Sequence, residues 1–177
     1  LLVCIGREAT KRINTFTDLA KRYEATFDLK AFSETDDAEG PLYPVNIKNI
    51  PSKDTVEETL QSFVGEIEQT PPRYSAVKVH GMQRYKAAQQ QENITLPTRT
   101  VIVYSLRLLA YKWPYVTIEL SCNKGTYIRS IARDLGLKLN TGGYVKMLCR
   151  TAIGPYTLED TYNPLTITTV TPDMCVS

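Results

Sequence analysis

Three stretches of the chain concentrate side chains able to do chemistry. The longest is Gln69-Thr70-Pro71-Pro72-Arg73-Tyr74-Ser75-Ala76-Val77-Lys78-Val79-His80-Gly81-Met82-Gln83-Arg84-Tyr85. Two prolines stiffen its entry, and cations interleave with Tyr74 and Tyr85. That combination suits folded RNA, with cations for phosphates and aromatic rings for bases or riboses. The second is Cys122-Asn123-Lys124-Gly125-Thr126-Tyr127-Ile128-Arg129-Ser130-Ile131-Ala132-Arg133-Asp134-Leu135-Gly136. It reads as a strand-turn-helix junction with its polar groups gathered at the turn. The third, Lys21-Arg22-Tyr23-Glu24-Ala25, opens an early strand. The chain has no phosphate loop, no G-x-S-x-G and no dinucleotide fingerprint. A Ser-His-Asp triad would have to use His80, the sole histidine, in a basic segment. The four cysteines, Cys4, Cys122, Cys149 and Cys175, are scattered without a C-x-x-C pair, so a zinc site has no support. Cys4 and Cys122 lie in strand-like runs and read as core thiols, which fits a reducing, intracellular compartment.

Charge is unevenly spread. The net charge is only +2, but nine acids face two lysines between Ala31 and Thr70. Arg73, Lys78, Arg84 and Lys86 follow with no acid among them. Between Ser121 and Arg150 six bases (Lys124, Arg129, Arg133, Lys138, Lys146 and Arg150) stand against Asp134 alone. Two basic blocks of this kind could form one positive face for phosphates, or could be ordinary solvated surface.

The elements that must carry these groups follow from periodicity. Lys21 to Leu29 alternates, with Tyr23, Ala25, Phe27 and Leu29 on one face, and predicts a strand. The apolar start, Leu1 to Ile5, reads as part of another strand. Arg7 to Ala20 reads as irregular helix, and Ser33 to Gly40 as an acidic polar loop. Val56, Leu60 and Phe63 space a helix over Asp54 to Phe63 with Asp54 as its cap. Gly81 to Gln91 reads as a short helix. Thr100 to Tyr111 and Tyr115 to Cys122 predict a hairpin, and Thr126 to Leu139 a helix with Ile128, Ile131, Ala132, Leu135 and Leu139 inward. A last strand spans Tyr144 to Ile153. With 177 residues, 42% hydrophobic and 23% charged, the chain has the composition of one globular domain. No apolar run approaches the roughly 18 residues of a membrane helix, and the apolar Leu1 to Ile5 is too short to read as a signal peptide. The elements predict an α+β fold: a mixed or antiparallel central sheet with flanking helices.

The first two stretches resemble the signature segments of TruB-family tRNA pseudouridine synthases, "PP-x-YSA-x-K-x-x-G-x-R-x-Y" and "KGTYIRS-x-x-x-DLG". The resemblance continues at Gly6-Arg7-Glu8-Ala9-Thr10-Lys11, at Lys21-Arg22-Tyr23, and at Leu148-Cys149-Arg150-Thr151 before Gly154-Pro155-Tyr156. It covers Leu1 to about Asp160 in the family's order, leaving 161–177 as a C-terminal tail, and the bacterial type fits better than guide-RNA-dependent relatives. It implies a pseudouridine-synthase catalytic fold and an enzyme that isomerises a uridine of the tRNA T-arm loop. The C1′–N1 bond breaks, the uracil turns over, and C5 bonds to C1′, with the target base flipped out of its stack. No cofactor and no metal are implied. The implied setting is a cytoplasmic or organellar monomer, with the cytoplasm as the expectation, no membrane, and tRNA as partner. Carried over, Tyr23 stacks on the flipped uracil, and Arg129 pairs with the catalytic aspartate. Tyr127 stands beside that pair and Leu148 lies against the uracil. Arg73, Lys78, Arg84, Lys86, Lys124 and Arg150 are the implied RNA contacts.

One departure is large. The family's aspartate lies in a G-x-x-D-P-x-A-x-G loop just before the strand that here opens with Leu1, so the resemblance expects it upstream of Leu1. Asp28, Asp36, Asp37 and Asp134 stand in other motif contexts. The acidic loop is also shorter than the family's usual version. The chain is thus expected to be an N-terminally incomplete catalytic domain, inactive alone. A non-catalytic RNA-binding module on the same face is the alternative, and a fragment without function the third reading.

Overall fold

The alternation of Lys21–Asp28 does form a strand, β1, and it becomes the middle of the sheet rather than an edge. The structure, a computed structural model, describes residues 2–74, 78–79, 82–83, 97–163, 165–169 and 171. In chain order the elements are α1 (Arg7–Lys11), α2 (Ile13–Asp18), β1, β2 (Ala31–Ser33), β3 (Leu42–Pro44), α3 (Lys53–Gln61), β4 (Gly65–Gln69), β5 (Lys78–Val79), β6 (Met82–Gln83), β7 (Arg99–Lys112), β8 (Tyr115–Cys122), α4 (Ile128–Leu139), β9 (Tyr144–Ile153) and β10 (Tyr156–Thr157). A 3-10 turn, Leu158–Asp160, follows.

Six strands form one sheet in the order β10-β9-β1-β8-β7-β4, with every neighbouring pair antiparallel. β2–β3 and β5–β6 form two small separate ribbons. The fold is α+β with an antiparallel sheet. Ala25, Phe27, Val103, Leu106, Val116, Ile118, Leu120 and Cys122 line its inner face. Val56, Leu60 and Phe63 of α3 and its C-terminal end, with Ile128, Ile131, Ala132 and Leu135 of α4, close the core over them. Each of these buried side chains stabilises the fold by roughly 1.5–3 kcal/mol relative to leaving it in water, Ala and Cys by less.

Several local expectations change. Leu2 to Ile5 is not strand: Val3 and Ile5 are 70% and 59% exposed, and Cys4 is only half-buried. Cys122 is a core thiol, and burial pushes it above the usual thiol range. The cap of α3 is Ser52, not Asp54, because the Ser52 hydroxyl accepts from Thr55 N–H at 3.1 Å. Met82–Gln83 is a strand paired with Lys78–Val79, which displaces a helix there, and the rest of the expected helix lies outside the described residues.

Helix α4 carries a glycine at 136, a residue that costs roughly 1 kcal/mol in a helix interior. A Cβ there would stand 2.2 Å from the Gly142 carbonyl oxygen, so only glycine lets the loop before β9 lie against the helix. The helix then ends on Asn140 in the left-handed conformation, φ 55°.

Candidate RNA-modifying site

Antiparallel pairing brings the scattered motifs to one end of the sheet, where β1, β7 begin and β4, β8 and β9 finish. In register, Tyr23 faces Arg150 on one side and Leu120 on the other, and Ala25 faces Leu148 and Ile118. Residues paired across strands project from the same face. Tyr23 therefore shares the inner face with Leu148 and Arg150, although more than a hundred residues of sequence separate it from them. Leu148 is 48% exposed there, an apolar wall left open. Tyr23 is half-buried, and burial first, then the Cys122 thiol, holds its phenol above the usual range, while Arg150 draws it back. Lys21, at the same edge, donates to the carbonyls of Thr17 and Leu19, the latter at 2.6 Å. Burial and Arg150 together hold its amine below the usual lysine range.

From β8 the turn Asn123–Thr126 leads into α4. Asn123 anchors it: its N–H donates to Ile102 O at 2.9 Å, and its side-chain oxygen accepts from Ile102 N–H at 3.1 Å and from the Thr126 hydroxyl at 2.8 Å. Gly125 adopts φ 85°, a conformation that favours glycine. Tyr127, the residue entering the helix, is pinned by Gln69. The buried carboxamide accepts from Tyr127 N–H at 2.8 Å and donates to Tyr127 O at 3.0 Å. Lys124 is exposed and ion-paired with Asp18 on the surface, a contact worth about 0–1 kcal/mol.

Arg129 and Arg133 project from one side of α4, four residues apart, Arg129 bonded through both terminal nitrogens and Arg133 through all three. Arg129 donates through Nη1 to Asp37 Oδ2 at 2.9 Å and to Thr35 O at 3.2 Å, and through Nη2 to Tyr74 O at 3.1 Å. Arg133 donates through Nη1 to Asp36 Oδ2, through Nη2 to Thr70 O and through Nε to Asp134 Oδ1, each at 2.9 Å. Ser130 also donates to Thr70 O, at 2.8 Å. The Tyr74 hydroxyl donates to Glu34 Oε1 at 2.8 Å, which holds that phenol above its usual range. Burial holds Asp36 above the ordinary carboxylate range, with Arg133 pulling the other way.

The segment expected to be an acidic polar loop is therefore also a latch: Glu34, Asp36 and Asp37 bind Tyr74, Arg133 and Arg129, and Asp36 itself is buried. The positive face is correspondingly smaller, since Arg129 and Arg133 are neutralised by the acidic block. The two arginines four apart on a helix were the available signal, because half-buried guanidinium groups require anions and Glu34 to Glu39 is the acid-rich block nearest to hand in composition. Gln69 and Arg99 gave no such signal. Of the expected RNA contacts, Arg73 is exposed and Arg150 half-buried beside Tyr23. Lys78 lies in β5, and Arg84 and Lys86 fall outside the described residues. No cluster of three His, Cys, Asp or Glu suited to a metal ion occurs among the described residues. Among them, no helix is long and apolar enough to cross a membrane.

Residues 1–128 match the TruB family pseudouridylate synthase (N terminal domain). The chain is 43% identical over 161 residues to "tRNA pseudouridine synthase B" of Ruegeria sp. (strain TM1040), covering 90% of this chain and 53% of that protein. The protein of the same name from Phocaeicola vulgatus is 40% identical over 160 residues, covering 90% and 68%. The chain thus spans between about half and about two thirds of the length of these relatives. Among solved structures, a Cbf5-Nop10-Gar1 complex matches with a TM-score of 0.62 and 26% identity, over 87% of this chain and 36% of the solved one. A family match over most of the chain, relatives sharing two residues in five, and a common fold agree: the chain belongs to the TruB family of pseudouridylate synthases.

Proposed function

We propose that residues 1–160 form most of the catalytic unit of a cytoplasmic, monomeric enzyme that isomerises the T-arm loop uridine of tRNA to pseudouridine, with 161–177 as a tail. The observation that carries this is the shared inner face of Tyr23, Leu148 and Arg150 at the sheet end where Tyr127 and Arg129 start α4. There the flipped uracil stacks on the Tyr23 ring with Leu148 as its apolar wall. Uracil is large, flat and uncharged, and an aromatic ring beside an open leucine suits it. The reaction breaks C1′–N1 and joins C5 to C1′; the proton leaving C5 is balanced by one gained at N1, so no cofactor is consumed. Arg73, Lys78, Arg84, Lys86, Lys124 and Arg150 contact the RNA.

The essential carboxylate comes from residues outside these 177. Supporting this, the described aspartates nearest the site have other work: Asp36 binds Arg133, Asp37 binds Arg129, Asp134 binds Arg133 and Asp28 accepts from the Tyr144 hydroxyl at 3.2 Å. Arg129 would then exchange Asp37 for the incoming carboxylate, aiming it and keeping it ionised, with Tyr127 beside the pair.

The test is a T-arm stem-loop incubated with the 177-residue chain and assayed for pseudouridine. The expected outcome is measurable binding without turnover; turnover would show that the carboxylate lies within the chain. In the enzyme completed by its upstream residues, Arg129→Ala should abolish turnover and keep RNA affinity. An equal loss of affinity would make Arg129 a phosphate contact instead. Failure of even the completed enzyme to modify the RNA it binds would favour a non-catalytic RNA-binding module.

A further inference from the structure

Strand β7 opens on a cation whose charge no described neighbour answers. Arg99 stands opposite Gln69 in the β4–β7 register, and its guanidinium lies over the Tyr127 ring, 4.4 Å from the centroid. Its Nε and Nη2 are buried and have no hydrogen-bond partner among the described residues. This contrasts with Arg129 and Arg133, whose terminal nitrogens are met by carboxylates and carbonyls. Stacking on Tyr127 satisfies the face of the guanidinium, not its edge. A buried cationic edge without acceptors is destabilising.

The two orphaned groups are neighbours. Nε–H and one N–H of Nη2 point the same way along one edge of the planar group, and that edge is a fork that grips two oxygens of a single oxyanion. The opposite end of the guanidinium, Nη1, is the part that lies against the turn, where a Cβ on Gly125 would stand 3.6 Å from it. Carboxylates of this end are already committed, Asp37 to Arg129, Asp36 to Arg133, Glu34 to Tyr74, Asp18 to Lys124 and Glu68 to the Thr100 hydroxyl. None of them is left to fill the fork.

We propose that Arg99 is a phosphodiester-binding residue whose Nε–H/Nη2–H fork holds two non-bridging oxygens of one RNA phosphate beside Tyr127. It rests on the proposal that this chain acts on RNA, and it gives the RNA-binding face a contact at the strand that leaves the basic segment. Because the same guanidinium stacks on Tyr127, seating the phosphate also fixes the ring that enters α4.

The experiment measures the affinity of the 177-residue chain for a T-arm stem-loop and for a scrambled loop of equal length, across a potassium chloride series. Arg99→Gln should weaken both complexes about three- to tenfold at low salt and make the log–log salt slope shallower by about 0.9. Arg99→Lys keeps the charge without the fork, so it should retain the slope and lose affinity. Arg107→Gln, on an exposed residue paired with Glu119, should change neither. Independently of any variant's folding, the Arg99 Nε–H resonance of the parent should move as either RNA is added. An unmoved resonance, or an equal slope loss in Arg107→Gln, overturns the proposal. So does a lowered thermal midpoint in Arg99→Gln with the slope intact, which would assign the fork to an internal carboxylate. Equal affinity for the two RNAs with the Arg99 effects present would refute the T-arm substrate and leave the phosphate contact standing; no binding of either RNA refutes both.

Discussion

Arg129 ties the acidic loop to Tyr74 through three hydrogen bonds, and these partners make its energetics measurable. Its side chain is 25% exposed and that of Asp37 22%, so the pair is shielded enough to matter and wet enough to escape the full penalty of burial. Truncating it removes contacts to a carboxylate and two carbonyls. Arg129→Ala should cost about 1–3 kcal/mol in urea unfolding. With Asp37→Ala it should show a coupling of at least about 0.5 kcal/mol in a double-mutant cycle; additivity would mean that the two groups are independent in solution. Asp36 gives a test with pH. Burial raises its pKa in the folded state, so the folded protein binds that proton more tightly than the unfolded chain does. The stability it contributes is complete below the unfolded pKa and is lost as pH rises through the folded one. An Asp36→Asn variant carries no such proton. Its unfolding midpoint, compared with the parent's, should therefore shift in the variant's favour as pH climbs out of the acid range. Parallel pH curves for the two proteins would contradict this assignment.

At the scale of elements, the joints matter more than the elements themselves. The two ends of the Gln69 carboxamide hold the backbone of Tyr127 on both sides. Gln69→Ala should cost about 1–3 kcal/mol by leaving the Tyr127 N–H and carbonyl without those partners. A midpoint within about 0.3 kcal/mol of the parent in chemical denaturation would mean that water replaces the side chain. Gly136→Ala tests the opposite balance. Helix propensity favours alanine by about 1 kcal/mol, but the 2.2 Å approach to the Gly142 carbonyl should win and lower the thermal midpoint. A raised midpoint would show that the loop yields. Long elements were legible from pattern alone: the expected bounds of Tyr144 to Ile153 agree with β9, and the hairpin of β7 and β8 follows from β-rich runs around Lys112-Trp113-Pro114. What was not legible is short or decided by partners. β2, β3 and β4 have three to five residues, too few to show a period. Leu1 to Ile5 looked like strand because its residues are apolar, yet in the structure Leu2 to Ile5 pairs with nothing in the sheet. Tyr23, Tyr127, Arg129 and Leu148 stand out in the sequence as motif positions, and pairing across the sheet brings Tyr23 and Leu148 to one face. The latch of Glu34, Asp36 and Asp37 was not legible, because charge counting treats an acidic loop as solvated unless a buried cation is known to face it.

For the whole molecule, the three described thiols report three depths. Cys149 is exposed, Cys4 half-buried and Cys122 buried with its thiol pushed up. A maleimide should modify them in that order, with Cys122 reacting only through wide opening of the sheet and so tracking the global unfolding free energy. Equal rates for Cys122 and Cys4 would mean that the β1–β8 edge opens locally. The strand order has a further consequence, for synthesis. β1 occupies the middle of the sheet, yet both strands that flank it, β8 and β9, are made later. With translation at about 5–20 residues per second, the roughly ninety residues between β1 and β8 take about 5–20 s to appear. Through that interval the apolar side of β1, with Tyr23, Ala25, Phe27 and the following Leu29, has no sheet to join, so the growing chain presents a sticky ribbon that a ribosome-associated chaperone would have to shelter.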